Sequence, residues 1–440
     1  MMYRKNTKKS RTPAGGVAGS NAGVKIDLFI FIALIALTLG VIVFNIFSSG
    51  VGGIKRTGLI ITGQWEALAD ADTLNELIRE FEERNPRLRI QMAEQPKTQT
   101  PQTPPEKNPT ASEELSPADI IIFDDSRLGE LIRQDALYPL DSVTENQGGV
   151  ERAIPLVLSM DLLFYNIDLL QAAGFDRPPK TRDEFVRYAR AVSAGKSGVY
   201  GTALGLNPED PLALKRDFFS WLWAAGVPLV QGGKPVFEGK AAVDLVAFMG
   251  QLNEVSPGGE SPFDKTGEQR LREFAEGRLA MIIAPVHAIS FLREREAGFK
   301  FGVTAIPGAA TPGKNSIGLS GFYAGIGGAS SYPDEARIFL DFLVEKSPLL
   351  SAKIKTVPGS FSGHFLPAAG FSGDLLKDDP LYAKAWEVFE SSDIAVTLSG
   401  FPRAVELEKI AAGELRTFFA QGANPRDTVE AIQKQWEITD

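Results

Sequence analysis

Short β-branched runs alternate with amphipathic helical segments along most of this chain, and this alternation limits the possible folds more than any single motif does. The run Leu59–Thr62 predicts a strand, apolar residues at Leu74, Leu77 and Phe81 predict a helix, and Leu88–Met92 predicts a second strand. This βαβ order predicts a parallel sheet. Because the alternation continues to the end of the chain, the sequence predicts an α/β fold.

Later segments continue the same pattern. The run Ile120–Phe123 predicts a fully buried strand, and "RLAMIIAP" and "FKFGVTAIP" predict two more. Helical periodicity predicts helices in Phe218–Ala225, Ala241–Leu252, Leu271–Phe274, "DEARIFLDFLVE" and "RDTVEAIQKQW". Residues 95–117 are rich in Pro, Thr and Gln and nearly free of apolar side chains, which predicts a disordered or extended surface loop.

The composition excludes several kinds of chemistry. The 440 residues include no cysteine, which rules out a disulfide scaffold, a thiolate metal site and a cysteine nucleophile. The two histidines, His287 and His364, leave little material for a histidine metal site or a catalytic triad. The net charge of −9 argues against a nucleic-acid partner. We therefore predict no cofactor, no metal site and no catalytic residue.

The first 57 residues differ in character from the rest. Residues 1–27 form a basic tail, and Leu28–Phe47 is an apolar run that would span about 30 Å as a helix, the thickness of a bilayer's hydrocarbon core. A basic segment before such a run predicts that the amino terminus stays in the cytoplasm. We therefore predict a single-pass anchor in the cytoplasmic (inner) membrane, a linker at residues 48–57 and an extracytoplasmic body. A cleaved signal peptide is the alternative, although no A-x-A site follows the run.

The stretch "FYNIDLLQAAGFDRPPKTRDEF", residues 164–185, contains many residues that start or end secondary-structure elements, but no obvious nucleophile, base or metal ligand. It contains a strand end, a short helix, a glycine stop and two prolines. Thr181 followed by Glu184 is the pattern of a capping box at a helix start. These signals indicate an architectural role for this stretch.

Several segments, taken in order, resemble one protein family. "GQWEALADADTLNELIREFEERNP", "ADIIIFDDSRLGELIRQDALYPLD" and the stretch 164–185 resemble the extracellular solute-binding proteins of ABC importers, in the maltose-binding-protein-like, sugar-binding group (family 1). "FAEGRLAMIIAP" and "GELRTFFAQGANPRDTVEAI" follow in the order that this family shows. The resemblance covers about residues 58–436.

The resemblance implies a two-lobe periplasmic-binding-protein fold of the type II-like class, with the ligand held between the lobes. We expect the chain to cross between lobes near Arg152–Asp161, Gly302–Ala305 and Val344–Leu350. The expected lobes are residues 58–153 with 304–345 (lobe 1) and residues 154–303 with 346–440 (lobe 2). On this basis the stretch 164–185, with its closely spaced element boundaries, begins the second lobe.

The first candidate ligand contacts follow the first and third predicted strands. Trp65 lies in a loop where its ring would point into the cleft and could stack on a sugar, or else pack on the lobe surface. Asp124, Asp125 and Ser126 follow the buried strand at its carboxyl end, where open α/β sheets hold ligands. Their charged and polar groups suit sugar hydroxyls, and helix capping by Asp125 or Ser126 is the alternative.

Two further pairs come from the middle of the chain. The resemblance implies that Ser159 and Asp161, in the first crossing, present polar groups to the ligand. Asp161 lies among apolar neighbours, so either the ligand or a structural hydrogen bond must satisfy its carboxylate. Trp221 and Trp223 are two residues apart in a helical segment and cannot share one face, so one is expected in the core.

The last candidates carry aromatic rings. His287 stands where sugar-binding relatives frequently carry a tryptophan, so it would hydrogen-bond rather than stack. Phe322 and Tyr323 lie in a Gly-rich loop entering a strand, where a ligand can approach the main chain. Phe401 corresponds to a position where relatives carry an aromatic residue in the cleft, with packing at a helix start as the alternative.

The resemblance implies a binding protein and not an enzyme. The expected function is capture of a carbohydrate, with oligosaccharide as the favoured class, and its delivery to an ABC permease in the membrane. A ligand-sensing co-receptor with the same fold is the first alternative. A membrane-anchored hydrolase is the second, but the adjacent pair Asp124 and Asp125 cannot flank a glycosidic bond from opposite sides.

Overall fold

The computed structural model describes most of the body of the chain. The described residues are 56–93, 118–140, 152–210, 212–258, 261–308, 315–353, 366–367, 378–401 and 403–439. Residues 58–440 form one compact unit. The expected anchor at residues 28–47, its flanking tail and linker up to residue 55, and the predicted loop 95–117 lie outside the described residues.

The described elements alternate between strands and helices, which confirms the α/β prediction. The strands are β1 (Thr57–Gly63), β2 (Leu88–Met92), β3 (Ile120–Asp124), β4 (Ile154–Asn166), β5 (Val230–Gln231), β6 (Lys234–Pro235), β7 (Met281–Pro285), β8 (Phe301–Thr304), β9 (Ser316–Ile317), β10 (Leu319–Ile326), β11 (Leu366–Pro367) and β12 (Asp393–Ile394). Within the described part of the chain, no helix combines the length and apolar character needed to cross a membrane.

The helices fill the intervals between these strands. They are α1 (Trp65–Leu68), α2 (Ala71–Arg84), α3 (Asp125–Arg133), α4 (Ile167–Ala172), α5 (Arg182–Ser193), α6 (Ser220–Trp223), α7 (Gly239–Glu254), α8 (Gly267–Ala275), α9 (Ala288–Glu294), α10 (Pro333–Glu345), α11 (Ser347–Lys353), α12 (Pro380–Ser391), α13 (Ala404–Gln421) and α14 (Pro425–Thr439). A π-helical turn, Lys215–Phe219, leads directly into α6. The helix predicted at 218–225 therefore begins earlier, at Lys215, and its first turn is π-helical instead of α-helical.

The main sheet is mixed, so the prediction of a parallel sheet is wrong beyond its first strands. Its order is β11-β4-β10-β3-β1-β2, and β7 and β8 also pair with β4. β1 and β3 are parallel, with Ile61 opposite Ile120. β10 runs antiparallel between β3 and β4. The local βαβ signal correctly predicted the first strands, but strands that return from distant parts of the sequence complete the sheet in the opposite direction.

Strand β4 belongs to two parts of the sheet in succession. Residues Ile154–Met160 pair with β10, and residues from Asp161 onward pair with β7 and β8. Apart from Ser159 and Asp161, the middle of the strand is apolar and nearly all buried, as expected of a strand covered on both faces. β4 therefore connects the regions that pack on either side of it.

Among the described residues, three hydrophobic cores include side chains of β4. The amino-terminal core combines α2, β1 and α10, with Phe81 packed edge-on against Phe339 at 4.7 Å between ring centroids. The large core combines α5, α6, α7, α13 and α14, and includes Trp221 and Trp436. A third core lies around β7, α8, α9 and α12. The residue bounds expected for the two lobes remain predictions.

The helix start predicted at Thr181 is only partly the expected capping box. The Thr181 hydroxyl accepts a hydrogen bond from the Glu184 amide at 3.2 Å, as predicted. The Glu184 carboxylate instead accepts from the amide of Lys180 at 2.8 Å and pairs with Arg177 at 2.7 Å. The hydrogen bonds from Arg177 lower the pKa of Glu184 to about 2. Glu184 thus links the segment before α5, through Arg177 and Lys180, to the first turn of that helix.

Candidate functional site

Four of the candidate residues from the sequence come together near the middle of β4. Asp125, Ser159 and His287 are buried, and Asp161 is half-buried. Asp125 bonds Lys215, Asp161 bonds the adjacent Arg216, and Ser159 lies against His287. The other members of this group were missed by sequence reasoning. We call the set the junction cluster, and it consists of Asp125, Ser159, Asp161, Lys215, Arg216, His287 and Ser399.

Asp125 and Lys215 form a buried ion pair. Asp125 is the first residue of α3 and is 4% exposed. Its Oδ2 accepts from Lys215 Nζ at 2.8 Å and from the Ser399 hydroxyl at 2.8 Å, and Lys215 Nζ also donates to Ser399 Oγ at 2.9 Å. Burial opposes the charge of Lys215, but the Asp125 carboxylate raises its pKa, so the ammonium stays charged.

A second carboxylate lies near the same ammonium. Glu408 is half-buried on α13. Burial raises the pKa of Glu408 to about 7, with the attraction of Lys215 opposing the shift and the repulsion of Asp125 adding to it. Asp125 and Glu408 therefore compete for one positive charge.

Arg216 extends the cluster toward β4. Its Nε donates to Asp161 Oδ1 at 3.2 Å, and its Nη1 lies 3.7 Å from Asp210 Oδ2. Burial opposes the charge of Arg216, while Asp161 and Asp210 raise its pKa. The partner that the sequence required for the Asp161 carboxylate is thus provided by Arg216, and ligand contact by Asp161 remains a prediction.

Ser159 and His287 complete the cluster, with Ser159 on the same face of β4 as Asp161. Ser159 Oγ lies 3.3 Å from His287 Nδ1, and the histidine is 7% exposed. Burial lowers the pKa of His287 to about 3, and the positive charge of Arg216 adds to this effect. His287 is therefore a neutral hydrogen-bonding group at physiological pH, consistent with the expectation that it hydrogen-bonds.

A fully buried ion pair holds the turn that carries both cations. Asp217 and Arg270 are each 1% exposed and are bonded to each other. Arg270 also donates to the Ile283 carbonyl oxygen in β7, and Asp217 Oδ2 accepts from the Gly205 amide at 2.9 Å. Within the π-helical turn, three consecutive side chains therefore reach different partners: Lys215 reaches Asp125, Arg216 reaches Asp161, and Asp217 reaches Arg270. π-Helical turns recur at functional sites.

Asp124 and Ser126 form the amino-terminal cap of α3. Asp124 Oδ1 accepts from the Ser126 amide at 2.9 Å and from its hydroxyl, and Asp124 Oδ2 accepts from Gln64 Nε2 at 2.8 Å. The cap expected at Asp125 or Ser126 is therefore one residue earlier. Ser126 is exposed and remains accessible beside the junction cluster.

The candidate residues Phe322 and Tyr323 lie within strand β10 and not in a loop before it. Phe322 is opposite Asp124 in the register with β3, and it packs in the amino-terminal core. Tyr323 stacks on Phe123 at 6.2 Å between ring centroids. Burial raises the pKa of Tyr323, and the nearby Asp125 carboxylate adds to the shift. Of these two residues, Tyr323 is therefore the one whose pKa is affected by a charge of the junction cluster.

The three tryptophan candidates are buried in cores. Trp65 starts α1 and lies 6.3 Å from Phe339 in the amino-terminal core. Trp221 meets Phe185 edge-on at 5.1 Å in the large core, and the ring of Trp223 lies against Gly318. Protein covers these rings in this structure, and any contact with ligand stays a prediction.

Phe401 is half-buried just before α13. Its ring packs at the edge of the large core, and its carbonyl oxygen lies against Gly129 in α3. This placement fits the alternative of packing at a helix start, and ligand contact is untested.

Sequence reasoning missed Lys215, Arg216, Asp217 and Arg270. A signal was present in "LKRDFF", where three adjacent charged residues stand inside an apolar segment. Charges buried in this way need partners, because an unpaired charge in the interior is costly. The partners themselves lie 53 to 90 residues away along the chain, so no local pattern identifies them.

A family model described as "Bacterial extracellular solute-binding protein" matches residues 65–347 of the chain. Among curated proteins, a "Probable ABC transporter-binding protein" from Deinococcus radiodurans is 24% identical over 265 residues, which is 58% of this chain and 61% of that protein. The alignment thus spans about three fifths of the relative's length.

Solved structures share the fold across most of the chain. The cyclic alpha-maltosyl-1,6-maltose binding protein from Arthrobacter globiformis has a TM-score of 0.66 at 16% identity, with 87% of this chain and 98% of that chain covered. UgpB from Mycobacterium tuberculosis, in complex with glycerophosphocholine, has a TM-score of 0.62 at 18% identity, with 88% and 98% covered. At such identities the likeness shows the fold alone.

Removing one partner of the buried pair should destabilise the protein strongly. We expect Arg270→Ala to lower the free energy of unfolding by about 3–5 kcal/mol, because it removes the hydrogen-bonded cation of Asp217, and burial already raises the pKa of that carboxyl group to about 6. Arg272→Ala, which removes an exposed pair with Glu268 on the same helix, should cost at most about 0.5 kcal/mol. Urea denaturation of both variants tests this, and equal losses would show that Arg270 does not hold the turn.

Acidification should cost stability through His287. The unfolded chain binds a proton there below about pH 6.5, whereas the folded protein binds none until about pH 3, so stability falls as pH drops through this window. Between pH 7 and pH 5, we expect the wild type to lose about 2 kcal/mol relative to His287→Asn. Urea denaturation across this range measures the difference, and parallel pH profiles would contradict the assignment.

Proposed function

The chain belongs to the family of bacterial extracellular solute-binding proteins, and on this basis we propose that it captures a carbohydrate and delivers it to the permease of an ABC transporter. It has the α/β two-lobe fold of that family. Members of the family are binding proteins and not enzymes, and the family description places such domains outside the cytoplasm. The identity of the solute, the permease partner and the anchor belong to the proposal.

The convergence of polar side chains at the junction cluster carries this proposal. Ser159, Asp161 and His287 come from β4 and from the turn after β7, and they meet where the cores adjoin. Ligands of two-lobe proteins bind between the lobes, where closure surrounds them with groups from both sides. A neutral imidazole, a hydroxyl and a carboxylate are suitable partners for sugar hydroxyl groups.

The candidate contacts differ in how much bonding capacity they retain. Asp125 already accepts from Lys215 and Ser399, and its Oδ1 lies 3.4 Å from the Gly321 amide. Asp161 has one strong partner, Arg216, and is half-buried. We therefore place the main ligand-facing carboxylate at Asp161, with Ser126 and Tyr323 at the margin and Trp65, Trp221, Trp223, Phe322 and Phe401 as supporting walls.

The lobes are proposed to divide at β4. Residues 58–153 with 304–345 would form lobe 1, and residues 154–303 with 346–440 would form lobe 2. The change of β4 partners between Met160 and Asp161 supports a crossing there. The amino-terminal core then lies mainly in lobe 1 and the large core in lobe 2.

Membrane attachment is proposed through residues 28–47. A tether of this kind would keep the binding domain near its permease and raise its effective concentration there. Residues 1–27 would then stay in the cytoplasm, as the basic charge before the apolar run favours.

A sugar should stabilise the purified protein against heat. We expect one class of mono- or oligosaccharide to raise the melting temperature with concentration, because a ligand that binds only the folded state stabilises it. The panel should include polyols, phosphorylated sugars and glycerophosphodiesters. A shift with one of those alone would replace carbohydrate with another solute, and no shift with any compound would count against the receptor proposal.

The responding solute should lose affinity when Asp161 is changed. Asp161→Asn should weaken binding at least about tenfold, because a hydrogen bond to a charged group contributes about 1.5–3 kcal/mol. Asp341→Asn changes an exposed carboxylate on α10 and is the matched control. Titration calorimetry compares the two, and equal affinities would remove Asp161 from the site.

Protein extracted from membranes should retain its amino terminus. Mass spectrometry of the intact chain should give about the full 47.6 kDa if the anchor is uncleaved. A shorter chain beginning near residue 50 would instead identify residues 1–50 as a signal peptide.

A further inference from the structure

Strand β2 lies at one end of the main sheet, with β1 as its neighbour, and in the described part of the chain no strand pairs with its other side. The Ala93 amide, directly after β2, donates to the Ile61 carbonyl oxygen in β1 at 2.8 Å. Because amides alternate in direction along a strand, the amides two and four residues earlier also face β1. The amides of Leu88, Ile90 and Met92 therefore point outward, along the edge of the sheet.

A side chain from helix α2 bonds the middle one of these outward amides. The Ile90 amide donates to Glu82 Oε1 at 3.0 Å, and Glu82 Oε2 pairs with Arg89. Glu82 lies in the last turn of α2, and its side chain is only 16% exposed. The Leu88 amide donates to the Asn85 carbonyl oxygen at 2.9 Å, in the turn between α2 and β2. Residues that precede the strand thus occupy two of its three outward amides.

These bonds matter because an open sheet edge is a surface on which another chain can pair. An edge strand presents a row of amides and carbonyl oxygens, and the same strand of a second copy can pair with it through a two-fold axis. An amide that already donates to a carboxylate cannot donate to such a strand, so a carbonyl oxygen of the approaching strand would lack its donor. The Glu82 carboxylate lies where that carbonyl oxygen would have to be placed.

The strand at the other end of the sheet is limited in a different way. β11 consists of two residues, Leu366 and Pro367, and a proline has no amide hydrogen to offer. Short edge strands and prolines both reduce pairing with another chain. β2 has five residues and no proline, so the same protection requires a side chain.

We propose that Glu82 is an edge guard, a side chain that keeps the edge of β2 from pairing with the β2 strand of a second copy of this chain. Its carboxylate occupies the Ile90 amide, and Arg89 holds the carboxylate against the strand. The guarded surface is the outward side of Leu88–Met92. This surface lies apart from the junction cluster, and its role does not depend on the solute, the lobe division or the anchor.

Removing the carboxylate should free the edge for pairing. Glu82→Ala deletes the acceptor of the Ile90 amide, so the full chain in detergent should form dimers as its concentration rises, as measured by light scattering. Glu83→Ala is the matched control, because it removes the same charge one residue later, from an exposed carboxylate that pairs with Arg79. We expect the association constant of Glu82→Ala to exceed that of Glu83→Ala at least about tenfold.

A second variant separates the hydrogen bond from the charge. Glu82→Gln removes the negative charge but keeps a side-chain oxygen that can accept from the Ile90 amide. It should therefore associate no more than Glu83→Ala does. Association equal to that of Glu82→Ala would show that charge, and not occupation of the amide, keeps the copies apart.

Hydrogen–deuterium exchange identifies the surface that pairs. At low concentration, the Ile90 amide in Glu82→Ala should exchange at least about tenfold faster than in Glu83→Ala, because its hydrogen-bond acceptor is gone. At high concentration, where dimers form, exchange in Leu88–Met92 should slow again. This return of protection is the result expected only if β2 itself forms the contact.

Two results would overturn the edge guard. One is a Glu82→Ala protein that associates no more than Glu83→Ala, and the other is association without renewed protection of Leu88–Met92. Cooperative urea unfolding shows whether each variant is folded, and Glu82→Met, a good helix former without an acceptor oxygen, replaces Glu82→Ala if that variant does not fold. A sugar panel without a hit would leave the edge guard standing, and a monomeric Glu82→Ala would leave the receptor proposal standing.

Discussion

The buried Arg270–Asp217 ion pair determines where the charged side chains at the centre of the molecule can point. Arg270 reaches inward from α8, bonds the main chain of β7 and fixes Asp217, the third charged residue in the π-helical turn. With Asp217 held, Lys215 and Arg216 have their directions set by the winding of that turn. The junction cluster thus depends on a pair that does not belong to it.

The sequence predicted the local structure well because local periodicity determines it. The observed β1, α2 and β2 correspond closely to the segments predicted from apolar spacing, and β3 corresponds to the predicted buried run. The direction of the sheet was not predictable in the same way. β10 lies about 200 residues from β3 in sequence, yet it inserts between β3 and β4, and nothing local to either strand indicates that pairing.

The same distinction explains which members of the junction cluster the sequence indicated. Asp161 was identified because a carboxylate among apolar neighbours requires a partner, and Ser159 and His287 were identified through the family resemblance. Lys215 and Arg216 were missed because their partners, Asp125 and Asp161, lie 90 and 55 residues away along the chain, so no local pattern identifies them. The sequence proposed Trp65 and Trp221 as ligand contacts, but both rings pack in cores. A large aromatic ring can pack in a core or stack on a sugar, and the sequence alone does not distinguish the two.

Strand β4 has a further consequence for how the lobes can move. Its pairing partners change between Met160 and Asp161, and the Met160 carbonyl oxygen already accepts from the Val286 amide just after β7 at 2.9 Å, so the two sets of neighbours meet at this point. A continuous strand cannot lengthen, and its ladders resist sliding, but it can bend where the partners change. Under the proposed lobe division, bending at this point would rotate one lobe relative to the other, whereas sliding would break the ladders on both sides. If the proposed receptor function holds, solutes of different shape would all meet surfaces that approach one another by rotation about this one point in β4.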